Sequence, residues 1–215
     1  MATAYVLFRC YEKDAESIAF ETKSGTLEVE SADDLLVMDF PAYELTQVQV
    51  TAQIEKTIGC RPLEAWLGRD LLCILDSEER VCNAVPDFDA VSRLDGLLLH
   101  ISAKGNRYDC VSRSFGPKCG VAEDPVCGSG HCHILPYWAN ALEKQELVAY
   151  QASARGGVIY GSVAKIADGN GIAGASAIAQ CFADAARGER KQGTLLIVFR
   201  VGIHDKSAHH RGFDE

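Results

Sequence analysis

The sequence predicts an α+β fold, and three observations carry the prediction. Apolar segments of strand length are punctuated by Gly and Pro, and helical spacing is confined to a few stretches between them. The 215 residues, 47% hydrophobic and 24% charged, suffice for one large domain or two small lobes.

Residues 2–10 read as the last turns of a helix. Residues 18–22 and 27–31 form a hairpin pattern around Lys23-Ser24-Gly25, and residues 35–40 supply a third strand that Pro41 breaks. The opening helix has neither a capping residue nor an approach segment, so sequence that normally precedes it is expected to be absent. From Gln47 a short helix is expected, with Val50, Ile54 and Ile58 at helical spacing, closed by Gly59 and followed by Pro62. Strands are predicted at 63–68, 71–75, 96–102 and 108–115, with a helix near 88–93.

A turn-rich loop over 116–126 leads into a helix over 127–145. Its Ile134, Leu135, Trp138 and Leu142 point to a core, and Pro136 either kinks it or lies early in it. A strand at 158–163, an Ala-rich helix near 176–187 and a strand at 195–201 follow, with a disordered tail from 204 to 215. The expected organisation is residues 1–44 as the remainder of a first lobe, 45–163 as a second lobe, and 164–215 as an uncertain C-terminal segment.

Net charge is −9, and the one basic cluster, Arg187, Arg190 and Lys191, is interrupted by Glu189, which argues against nucleic acid or an anionic membrane as a partner. No run reaches the roughly 20 apolar residues of a membrane helix, and the short apolar start lacks a basic region and a cleavage signal, so the cytoplasm is the expected location. Nine cysteines, odd in number and irregularly spaced, do not suggest a disulfide framework; about three in four are expected to be small buried hydrophobes.

The densest chemical signal is Glu123-Asp124-Pro125-Val126-Cys127-Gly128-Ser129-Gly130-His131-Cys132-His133, at a loop-to-helix junction. Amides of Gly128, Ser129 and Gly130 at a helix start would hold a carboxylate and stabilise an enolate, aided by the helix dipole. Asp124 and Cys127 would move protons beside it, and a thiol in that place would have a lowered pKa. Alternatively, Asp124 and Ser129 simply cap the helix around a glycine turn. A zinc site from Cys119, Cys127, His131, Cys132 and His133 lacks paired Cys-x-x-Cys spacing, and a Cys127–His131 hydrolase lacks an orienting third group. His131 and His133 would either orient substrate or be structural.

This stretch resembles the PhzF-like phenazine-biosynthesis isomerase family, structurally related to diaminopimelate epimerase. The resemblance extends to residues 3–8 and 20–25, Val111-Ser112-Arg113, Pro136-Tyr137-Trp138 and residues 151–157. It implies two diaminopimelate epimerase-like lobes, each a mixed sheet around a central helix, with the first lobe incomplete here. It implies a cofactor-independent, metal-free isomerase or epimerase that shifts a proton next to a carboxylate or carbonyl of a small metabolite. Asp124 and Cys127 then stand as catalytic residues, and Gly128, Ser129, Gly130 and His131 as substrate-binding residues. Cys127 stands where many members carry threonine and where diaminopimelate epimerase carries a catalytic thiol.

Two departures qualify the resemblance. The segment bearing the family's catalytic glutamate, and the Gly-His motif after it, have no counterpart, and the returning strands expected after Val163 are not recognisable. The alternative function is therefore a catalytically silent homologue that binds a small carboxylate. A truncated first lobe would expose core surface, so weak stability or self-association as a homodimer is expected.

Overall fold

Apolar patterning and turn chemistry place most elements in the computed structural model, which describes residues 2–22, 25–32, 35–40, 42–163, 181–182 and 196–200. Helix α1 (Ala2–Val6) runs into a π turn (Leu7–Tyr11) closed by the Glu12 amide on Leu7 O at 2.7 Å, and it buries Ala4 and Phe8. Strands β1 (Ser17–Thr22) and β2 (Gly25–Ala32) pair antiparallel from Ser17↔Glu30 to Thr22↔Gly25, the expected hairpin, and β3 (Leu35–Asp39) continues the meander.

The second stretch starts differently from its prediction. Residues Thr46–Val48 form strand β4, paired with β5 (Glu64–Leu67), and helix α2 begins only at Ala52 and runs to Ile58. A three-residue edge strand is too short to show a period of two, whereas the helix start has a local cause. Thr51 Oγ1 accepts the Ile54 amide at 3.2 Å, and Gly59 closes the helix in the left-handed region at φ 87°. A further short helix, α3 (Glu78–Asn83), capped by Ser77, was not anticipated, and α4 (Phe88–Val91) is the expected one.

Strand β6 (Leu71–Ile74) is buried at every position, as its unbroken apolar run requires. Leu72 and Ile74 join one apolar cluster, and Leu71 and Cys73 join another on the opposite face. It is flanked by β5 and β7 (Leu99–Lys104), and β8 (Cys110–Phe115) follows. The first cluster unites Ala4, Phe8, Val29, Leu36 and Met38 with residues of the long helix α5 (Gly128–Ala141), from both sides of residue 44. The second packs α2, α3 and α4 residues Ile54, Ile58, Val81 and Val91 under Leu99, Ile101, Val111 and Phe115.

Helix α5 begins where expected and ends sooner. Leu142 caps it, Glu143 takes a positive φ of 54°, and Glu146–Gln151 becomes strand β9, which the prediction lacks. Strand β10 (Gly157–Ser162) pairs with β9. Pro136 sits inside α5 and has no N–H for the Cys132 carbonyl one turn back. The Tyr43 amide fills that gap, donating to Cys132 O at 3.2 Å.

Beyond β10 the structure corrects two expectations. Cys181–Phe182, inside the predicted Ala-rich helix, is strand β11, because Phe182 pairs with Val158 and Cys181 with Ile197; tertiary pairing overrides the helical preference of the surrounding alanines. The rest of that predicted helix and the tail from 204 lie outside the described residues. Strand β12 (Leu196–Arg200) lies where predicted and runs parallel to β3, Leu196↔Leu35 to Arg200↔Asp39, so the chain does return to its first strands. The described strands form one sheet in the order β1-β2-β3-β12-β11-β10-β9-β8-β7-β6-β5-β4. Among the described residues, no helix is long and apolar enough to cross a membrane. The eight cysteines from Cys10 to Cys132 are free; Cys10, Cys82 and Cys119 are exposed, so fewer of these are buried than expected.

Close packing of α5 on β7 depends on Gly130. A Cβ there would meet the His100 ring at 2.6 Å and the Cys127 sulfur at 3.1 Å, and His100 is bonded through both ring nitrogens and cannot yield. Gly130→Ala gains about 1 kcal/mol of helix propensity against an overpacking cost of about 1–3 kcal/mol. The expected result is net destabilisation, read as a lower urea midpoint; an unchanged or higher midpoint would contradict this packing.

Candidate functional site at the start of the long helix

The α5 faces of β7 and β8 are buried yet polar. His100, Ser102, Ser112 and Ser114 occupy alternate positions there, and each finds a partner. Trp138 Nε1 donates to Ser102 Oγ at 2.8 Å, Ser112 Oγ lies 3.4 Å from His131 Nε2, and Ser114 Oγ lies 2.9 Å from His100 Nδ1. This polar seam fixes the rotation of α5 about its axis, and with it the direction in which its first turn faces.

The loop before α5 is clamped from three sides. The Asp124 amide donates to Ser114 O at 2.9 Å, and its carboxylate accepts the Val126 amide at 3.0 Å. Gln151 is fully buried; its Nε2 donates to Asp124 O at 2.5 Å and its Oε1 accepts the Cys127 amide at 2.7 Å. Ser153 Oγ donates to Pro125 O at 2.6 Å. Arg113 and Glu123 form a two-bonded ion pair at 2.7 and 2.9 Å at the outer side of the loop.

The helix cap is Cys127, in extended conformation, whose Sγ accepts the Gly130 amide at 3.3 Å. The cap is therefore neither Asp124 nor Ser129, and the Gly130 amide expected to face a ligand is engaged by the thiol. Gly128 and Ser129 occupy the first two helical positions, where amides have no acceptor within the helix, and both are partly exposed, as is Asp124. Ser129 Oγ lies 3.7 Å from Cys127 Sγ.

Two expectations at this site are corrected. Burial, with only 3% of Cys127 exposed, pushes its thiol up to about 11, and the Asp124 charge pushes the same way; the hydrogen bonds from Ser129 and Gly130 only partly oppose them. The thiol is thus held protonated at neutral pH, where the helix start alone suggested a lowered value. His131 is 1% exposed, its Nδ1 2.7 Å from Cys127 O, and burial lowers its pKa to about 4. It is a neutral interior group and does not line the open side with Gly128 and Ser129.

The groups behind the site come from residues that sequence reasoning missed. Arg69 and Asp70 occupy the tight turn between β5 and β6. Arg69 donates to Asp70 at 3.1 and 2.6 Å, to Tyr43 Oη at 3.1 Å and to Ser129 Oγ at 3.0 Å. Its guanidinium carbon also stands 4.9 Å over the Tyr43 ring, which stacks on His133 with centroids 4.4 Å apart. The available signals were an ion pair of adjacent residues in a strand-to-strand turn and a histidine, His100, inside an apolar strand.

Asp70, His100 and His133 are all buried and offer ligand atoms within 4.8 Å of one another. Those atoms are engaged: Asp70 Oδ2 lies 3.1 Å from His100 Nε2, and His133 Nε2 accepts the Asp70 amide at 3.2 Å, leaving Nδ1 to carry the proton near Ser129 O. Of the five residues weighed from sequence as a zinc site, Cys119 lies on an exposed turn (Pro117–Cys119) and His131 turns to Ser112.

A sheet wrapped about a buried helix, with a clamped acid and thiol at the helix start, defines a diaminopimelate epimerase-like fold. Residues 1–181 match the family model for phenazine biosynthesis-like protein, PhzC-PhzF, and the chain belongs to that family. It is 44% identical over 161 residues to the "Uncharacterized isomerase PA3578" of Pseudomonas aeruginosa, covering 74% of this chain and 62% of that one. It is 33% identical over 177 residues to the mouse "Phenazine biosynthesis-like domain-containing protein 1", with 73% and 62% covered. A crystal structure of a PhzF-family phenazine biosynthesis protein from Enterococcus faecalis superposes with a TM-score of 0.74 at 40% identity, covering 76% of this chain and 64% of that one. The chain thus spans somewhat under two thirds of the length of these relatives.

Proposed function

We propose that the chain carries one wall of a cofactor-independent isomerase site that shifts a proton next to the carboxylate or carbonyl of a small metabolite. The observation that carries this reading is the joint placement of Asp124, Cys127, Gly128 and Ser129 at the open start of α5. The Gly128 and Ser129 amides hold the carboxylate of the substrate and stabilise the enolate-like charge that develops on it. Because the thiol is kept protonated, Cys127 acts in the donor direction, and the Asp124 carboxylate is the group placed to take a proton. No metal or organic cofactor enters this scheme. His131 acts from behind, through the carbonyl of Cys127.

One observation favours a second reading, binding of a small carboxylate without turnover: a buried thiol held near 11 is a weak acid and gives up its proton reluctantly at neutral pH. Deuterium incorporation from heavy water into a panel of amino acids and small carboxylic acids separates the two. Exchange that disappears in an Asp124→Ala, Cys127→Ala double variant is the expected result. Absence of exchange in folded protein would leave the binding reading.

A further inference from the structure

We infer that Arg69 is a positioning residue for this site: it turns the Ser129 hydroxyl into a hydrogen-bond donor toward the ligand and gives the site its preference for an anionic group. This rests on the carboxylate-binding reading above and deepens it. Guanidinium has donors and no acceptor, so in the 3.0 Å contact Ser129 Oγ must accept. The single hydroxyl hydrogen then points away from Arg69, either toward the Cys127 sulfur at 3.7 Å or toward an acceptor at the first turn of α5. A serine left free at this place would rotate its hydrogen and donate or accept with equal ease.

The charge arrangement points the same way. Asp70 and Arg69 neutralise each other as a pair, but they are not equally placed. Asp70 is 0% exposed, whereas 33% of the Arg69 side chain is open, so the pair presents its positive end on the side where Ser129 lies. Tyr43 holds the guanidinium in plane from one edge through its hydroxyl, and Asp70 holds it from another through two bonds. A ligand carboxylate at the helix start therefore meets a donor hydroxyl with a fixed cation behind it. A neutral amide of the same shape gains less from that charge and must find partners for donors of its own.

The test uses full-length, ¹⁵N-labelled chain titrated with acetate and, separately, with acetamide, following the Gly128 and Ser129 amide signals. In the parent chain the two signals are expected to move saturably with acetate and at least about tenfold more weakly with acetamide. Removing Arg69 alone would strand the buried Asp70 charge, so the variant is the pair Arg69→Met, Asp70→Asn, with its fold checked by amide signal dispersion. In it the preference for acetate is expected to fall to within about threefold, and Ser129→Ala, which leaves the ion pair intact, should lose most of the same preference. An unchanged preference in both variants would overturn the role of Arg69 while leaving carboxylate binding standing. A parent chain whose signals move with neither probe would overturn both.

Discussion

Asp70→Ala is expected to cost roughly 3–5 kcal/mol of stability, a large part of what a domain of this size possesses, and to appear as a large drop in the urea midpoint. The Asp70 side chain is wholly buried and accepts from Arg69 twice, from His100 at 3.1 Å and from the Leu98 amide at 3.3 Å. Alanine leaves all of these donors without their acceptor, two of them on the cationic Arg69, around a side chain that is itself wholly buried. Asp70→Asn keeps one oxygen and the volume but turns an amide toward a donor, so its loss should be intermediate. A loss below about 1 kcal/mol for the alanine variant would show that the turn relaxes and rehydrates, and would remove this network from the account of stability.

The elements read correctly from sequence have a local cause. The hairpin of β1 and β2, the apolar run of β6 and the start of α5 are each set by residues within a few positions, and the resemblance carried by residues 123–131 and the other matched motifs added the epimerase-like form of the fold. What failed was set from a distance. Strand β9, which follows the predicted helix directly, is missing from the sequence prediction because Leu147, Ala149 and Gln151 show their alternation only once β8 and β10 flank them. Strand β11 was hidden in an alanine-rich stretch for the same reason.

The site divides in the same way. Asp124, Cys127, Gly128 and Ser129 lie within one short stretch, residues 124–129, and could be found by motif. Arg69 reaches Ser129 across 60 positions of sequence, and nothing near either residue announces the other. His100, Ser102, Ser112 and Ser114 would be assigned to a solvated face by alternation alone; the helix that covers that face lies later in the chain. Even where a residue was found, its chemistry was not fixed locally. The helix start favours a Cys127 thiolate, but burial and the Asp124 charge outweigh it.

Acid should weaken the fold well before the carboxylates titrate. Burial lowers His131 and His133 to about 4, below the 6.5 of an exposed imidazole. Of the groups packed around them, His100 disfavours protonation of both; Asp70 favours it at His133 and Arg69 opposes it there, while the Cys127 and Ser129 carbonyls favour it at their respective rings. With folded values below unfolded ones, the unfolded chain binds protons first. Stability is therefore full above about pH 6.5 and falls as pH drops toward 4, by about 1.4 kcal/mol per pH unit for each histidine. The roughly 2.5 pH units between 6.5 and 4 and the two rings set an upper bound of about 7 kcal/mol. Asp70 does not act in this window. Burial raises its carboxyl, but the bonds from His100 and Arg69 more than offset that and hold it well below the usual range. Its contribution is present above the unfolded carboxylate value near 3.9 and is lost only below it. Urea unfolding at pH 7.5, 6 and 5 should show a falling midpoint, and His131→Gln should make the fall shallower by removing one of the two rings. Equal midpoints at pH 7.5 and 5 would mean that the rings are protonated in the folded chain, or reached by water, and would contradict the neutral polar seam on which α5 is seated.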